Sequence, residues 1–102
     1  MEHTVIERAV TVNVEAAHCD GNGKVHGHSY LVECWTYDDT DLPAFEAAMR
    51  LTASLVDHTM LEDSLGAPTM EAMGAWFLAR GGLSRVVVRR PTLGFAIEVR
   101  KC

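Results

Sequence analysis

The sequence predicts an α+β domain in which one layer of sheet is covered by helices, in the order β-β-α-α-β-β. Three observations carry this. Apolar residues alternate at both ends of the chain, apolar residues recur at helical spacing in the middle, and turn-forming clusters separate the segments. With no internal repeat, linker or low-complexity tract, a single sheet-and-helix layer is the natural way to bury both kinds of apolar face.

The first strand is expected from Thr4 to Ala17. Val10, Val12, Val14 and Ala16 alternate there with Thr11, Asn13 and Glu15, the period-two pattern of a half-buried strand. Cys19-Asp-Gly-Asn-Gly-Lys24 reads as a turn by composition. A second strand follows from about His26 to Tyr37, antiparallel to the first across that loop.

After the polar break Asp38–Asp41, Pro43 suits the first turn of a helix. Phe45, Ala48, Met49, Thr52, Leu55 and Val56 form its apolar stripe, and it ends near Asp57. A loop from Thr59 to Pro68 precedes Thr69, a cap for a second helix lined by Met70, Met73 and Phe77 and stopped by Gly81-Gly82. Val86–Val88 and Phe95–Val99 are two closing strands around a Pro91/Gly94 turn.

Bulk properties narrow the function. At 102 residues the chain is one domain near the small end, and 48% hydrophobic residues make it globular. The formal net charge of −5, with scattered basic residues, argues against nucleic acid as a partner. Apolar runs are too short to span a bilayer, and Met-Glu-His-Thr-Val has no signal-peptide pattern. Three cysteines (Cys19, Cys34, Cys102) without framework spacing favour reduced thiols, hence a cytoplasmic location.

The stretch from Val14 to Tyr30 concentrates the chemistry. His26 and His28 are two apart, so on a strand they share a face, and His18 arrives from the partner strand. Three imidazoles with an open fourth position is the donor set of a catalytic zinc. Zinc is the default, although imidazole also suits iron, nickel and copper. Asp57-His58, where the first helix ends, offers an acid/base histidine oriented by a carboxylate; a helix-end histidine facing the last carbonyls is the plainer alternative. Cys19 adjoins His18, where a divalent cation would favour its thiolate; a small buried hydrophobe is the alternative, and that or plain exposure is preferred for Cys34 and Cys102.

Val-Glu-Ala-Ala-His18, His26-Gly-His28-Ser-Tyr30, Val56-Asp57-His58-Thr-Met-Leu61 and Pro68-Thr69-Met-Glu71 come in an order and spacing that resembles the 6-pyruvoyl-tetrahydropterin synthase / 6-carboxy-tetrahydropterin synthase family. The resemblance covers almost the whole chain. It implies the tunnelling fold, a four-stranded antiparallel sheet with two helices packed on one face. It also implies a homo-oligomer, trimer or hexamer, with active sites at subunit boundaries, and oligomerisation would bury what so small a chain cannot.

By the same resemblance His18, His26 and His28 match zinc ligands, and Asp57 and His58 match a proton-relay pair that works with a cysteine on a pterin side chain. Thr69 and Glu71 match the motif opening the second helix, where capping and favourable dipole charge account for much of their presence. Two departures stand out. The family's cysteine lies four to six residues before His-Gly-His, where this chain has Asp20 to Asn22, and Cys19 is the nearest thiol. The family's pterin-anchoring glutamate ends the third strand, where this chain has Val88-Arg89-Arg90-Pro91. A guanidinium is donor-only and favours a carboxylate or phosphate over the donor edge of a pterin. The resulting expectation is a zinc-dependent lyase of the triphosphate-eliminating class with a pterin-like small-molecule substrate. The alternative is an altered or inactive relative that binds metal and an anionic small molecule.

Overall fold

The computed structural model describes residues 3–80 and 82–101. Gly81 and Cys102 lie outside them. The strands β1 (Arg8–Cys19) and β2 (Val25–Thr36) form a long antiparallel hairpin. Helices α1 (Leu42–Ser54), α2 (Leu61–Ser64) and α3 (Met70–Leu78) follow, then β3 (Arg85–Arg90) and β4 (Phe95–Arg100). The four strands form one antiparallel sheet in the order β1-β2-β3-β4.

Cross-strand register sorts the side chains. Val14 pairs with Tyr30, Val12 with Val32 and Val10 with Cys34, while Val32 pairs with Val88 and Cys34 with Val86. These residues share the face on which the helices pack, and Val12, Val14, Tyr30, Val32, Cys34, Val86 and Val88 are buried there. Burial holds the Cys34 thiol up at about 12, so it behaves as a small hydrophobe, as expected.

Helix α1 starts where Asp41 caps it, its carboxylate accepting from the Ala44 N–H at 3.2 Å with Pro43 in the first turn. Its buried stripe is Phe45, Met49 and Ala53, continued by Val56; Ala48 and Leu55, expected on that stripe, face solvent. With about 3.6 residues per turn, Ala48 and Leu55 both fall on the solvent side of the line through Phe45, Met49, Ala53 and Val56. In α3, Met73, Gly74, Phe77 and Leu78 are buried, and Gly74 brings the helix against β4. Helix α2 falls within the segment read as a loop. One turn is too short for apolar periodicity to register.

The molecule measures 59 × 24 × 23 Å, and the twelve-residue strands of the hairpin outrun the six-residue β3 and β4. No helix among the described residues is long and apolar enough to cross a membrane.

Candidate functional site

The alternation that buries Val12, Val14 and Ala16 also fixes where the histidines go. His18 continues the Val14–Ala16 series and pairs directly with His26, while His28 pairs with Ala16. The three imidazoles therefore stand on the core face at the overhanging end of the hairpin. Ring centroids lie 4.8 Å apart for His18 and His28, 6.2 Å for His18 and His26, and 6.4 Å for His26 and His28.

Hydrogen-bond partners fix the tautomers. His18 Nδ1 is 3.1 Å from the Cys19 carbonyl, which can only accept, so Nδ1 carries the hydrogen. His26 Nε2 donates to the Asp20 carboxylate at 2.8 Å. Arg90 donates from a terminal nitrogen to His28 Nδ1 at 2.6 Å, which places the His28 hydrogen on Nε2; that N–H donates to His18 Nε2 at 2.8 Å. Burial, then the Arg90 charge, lowers the His28 pKa, in keeping with a neutral ring. The His26 contact lowers the Asp20 carboxyl, which also receives the Asn22 and Lys24 N–H groups and so ties the turn together.

For a metal, the donor set fits in chemical type, three imidazoles gathered at one end of the hairpin. A carbonyl on His18 Nδ1 and a carboxylate on His26 Nε2 are partners that direct the lone pairs of the opposite nitrogens toward a ligand, although His18 Nε2 here accepts from His28. His28 differs, because its Nε2 bears hydrogen while Nδ1 accepts from Arg90. Among the described residues, no group of three or more His, Cys, Asp or Glu side chains is arranged to hold an ion.

Arg90 is half-buried at the end of β3. One register step beyond the Leu31–Arg89 pair it faces Tyr30, and it pairs with Phe95 on the other side. Its guanidinium lies 5.9 Å from the Tyr30 ring centroid, and its Nε is buried without a partner. Arg89 takes the opposite face and pairs with Glu33 at 2.7 Å.

Asp57 and His58 are placed by the chain reversal after α1. His58 adopts a left-handed conformation, φ 58°, so that the following residues run beside β1. Its N–H donates to the Glu15 carbonyl, the Ala17 N–H donates to the Thr59 carbonyl, and Ala17 and Met60 form a parallel bridge. Asp57 Oδ1 accepts from the Glu15 N–H at 2.8 Å, and Oδ2 accepts from His58 Nδ1 at 2.7 Å. The Glu15 N–H, then His58, hold the Asp57 carboxyl below its ordinary range. His58 is well exposed, with Nε2 left as an acceptor. His28 and His58 line one cavity of about 410 Å³, together with Glu15, Ser29, Thr59 and Met60.

Cys19 alternates to the face opposite His18 and is exposed; its N–H donates to Glu62 Oε2 at 2.7 Å. Thr69 Oγ1 accepts from the Ala72 N–H at 3.0 Å, capping α3, and Glu71 is exposed in the first turn. Neither side chain hydrogen-bonds to the histidine cluster among the described residues.

Two acidic residues escaped the sequence reading. Glu15 accepts from the Ser29 hydroxyl at 2.6 Å and from Asn13 at 2.9 Å, at the cavity wall. In sequence it is one of three polar residues on an outward-facing period, indistinguishable from a solvated face. Glu62 Oε1 is buried without a partner beside His18 and Cys19. It sits in α2, the element too short to read.

No family model and no curated protein sequence matches the chain. Among solved structures, it is similar to that of Caenorhabditis elegans 6-pyruvoyl tetrahydropterin synthase, with a TM-score of 0.79 over 95% of this chain and 96% of that one. The identity is 15%, so the likeness is one of fold.

Proposed function

We propose that the chain is a metal-dependent lyase acting on a pterin-type substrate, as the fold it shares with 6-pyruvoyl tetrahydropterin synthase suggests. The observation that carries this reading is the joint placement of two kinds of histidine. Three imidazoles cluster at the hairpin end, and His58, oriented by Asp57, opens onto the same cavity as His28.

His18, His26 and His28 would hold the metal, with zinc the default. When bound, zinc supplies Lewis-acid polarisation of substrate oxygens. His58 accepts and returns a proton through Nε2, and Asp57 keeps its hydrogen on Nδ1 and stabilises the imidazolium. Arg90 binds an anionic group of the substrate. Cys19 is a candidate thiol partner on the opposite strand face, while Thr69 and Glu71 serve substrate binding less directly than α3 capping. Assembly into a trimer or hexamer would bring further residues to the cavity rim.

Elimination of triphosphate from dihydroneopterin triphosphate by wild type, with loss of at least about 100-fold in His58→Ala, supports the lyase reading. Binding of that compound without turnover favours a metal-containing binding module instead. The specific observation on that side is Arg90, a donor-only group standing in the histidine cluster.

A further inference from the structure

Arg90 is bonded to a ring of the histidine cluster, at His28 Nδ1. Of the other arginines, Arg8, Arg50, Arg85, Arg89 and Arg100 pair with carboxylates. Arg80 is exposed and stacks on Trp76. Arg90 is half-buried, makes no ion pair among the described residues, and spends its hydrogen bond on an imidazole.

That bond sets the direction of a chain. Arg90 donates to His28 Nδ1, His28 Nε2–H donates to His18 Nε2, and His18 Nδ1–H donates to the Cys19 carbonyl. The guanidinium has only hydrogens to give and the carbonyl only lone pairs, so neither end permits reversal. The lone pair of His18 Nε2 is thereby consumed, and His28 presents N–H toward it. For His28 to ligate through Nε2, its hydrogen must move to Nδ1, where it would face a guanidinium that accepts nothing. A guanidinium beside a divalent cation is also repelled.

We infer that Arg90 is an anion-binding arm held on His28 in the ligand-free chain, so that metal and a phosphate- or carboxylate-bearing ligand bind this site cooperatively. An anion draws the guanidinium off His28 and frees that ring for the metal; the metal in turn displaces the arm toward the anion. Linkage makes the effect reciprocal. The inference rests on the metal-site part of the proposed function and adds the coupling.

Zinc affinity is measured by competition with a chromophoric chelator at neutral pH, for wild type and Arg90→Gln, without anion and with methylphosphonate or acetate. Arg90→Gln corrects for zinc bound by the anion itself. The expected result is zinc tightened roughly 5- to 150-fold by anion in wild type, the usual range of such coupling. Arg90→Gln should bind zinc more tightly than wild type without anion and show no anion response. Methylphosphonate alone acting identifies a phosphate ligand, and acetate alone a carboxylate. Equal zinc affinity in the two proteins, each insensitive to anion, overturns the inference.

Long-range proton–nitrogen spectra of metal-free wild type supply a second reading that needs no variant. Hydrogen on Nε2 of His28 supports the inference, and hydrogen on Nδ1 overturns it. Coupling without triphosphate elimination would sink only the lyase reading, whereas turnover with zinc binding indifferent to Arg90 would sink only the coupling.

Discussion

The carboxylate of Asp57 accepts the backbone N–H of Glu15 across 2.8 Å, fastening the segment after α1 to the outer edge of β1. The same carboxylate holds His58, so one side chain both closes the fold and aims the candidate acid/base.

Asp57 therefore links stability to pH. Its carboxyl is held below the ordinary value of 3.8, so its stabilisation is complete above that value and lost as pH falls through the lowered folded-state value. Asp20, Glu15, Glu62 and Glu98 share this direction. Wild type should lose stability below about pH 4. Asp57→Asn, which keeps an acceptor for Glu15, should fall less steeply there and be less stable at neutral pH by about 1 kcal/mol. Urea midpoints across the acid range test this; parallel curves for the two proteins would reject the linkage.

His58 occupies the left-handed region, which disfavours a β-carbon. His58→Gly is expected to be more stable than His58→Ala by about 1 kcal/mol, with the imidazole lost in both. Thermal unfolding of the two variants side by side measures the difference. Equal midpoints would mean that the turn relaxes to another conformation.

Thr69 is expected to act chiefly as a cap. Thr69→Ala should cost about 1 kcal/mol and Thr69→Asp should recover it, because aspartate accepts the same N–H and suits the helix dipole. If both variants unfold like wild type while ligand affinity drops, the hydroxyl serves the substrate instead.

Gly74 permits the approach of α3 to β4. A β-carbon there would sit 2.7 Å from Val99 Cγ2 and 3.3 Å from Ile97 Cδ1. Valine is stiff at that bond, so Gly74→Val should destabilise by about 1–3 kcal/mol despite valine's better helix propensity. A lowered urea midpoint with unchanged m-value is the expected signature.

The sequence by itself determined the two longer helices, the clustering of His18, His26 and His28, and the four strands, although β1 runs from Arg8 to Cys19 rather than from Thr4 to Ala17. Those follow from local rules, alternation along a strand and turn chemistry between strands, which need no knowledge of distant residues. It also located Asp57-His58 and the anomalous Arg90. Tertiary structure decided what these groups do to one another. Whether Arg90 is a solvated end or a half-buried donor depends on the register of β3 against β2, a contact between residues some sixty positions apart. Glu15 and Glu62 gained their places by pairing with Ser29 and Cys19 across the fold, and α2 exists as a single turn between chain segments pinned elsewhere. Hydrogen-bond direction is likewise a property of partners rather than of residues. The histidines were legible one by one, but the sense of the chain joining Arg90 to Cys19 appears only when its two ends are brought together.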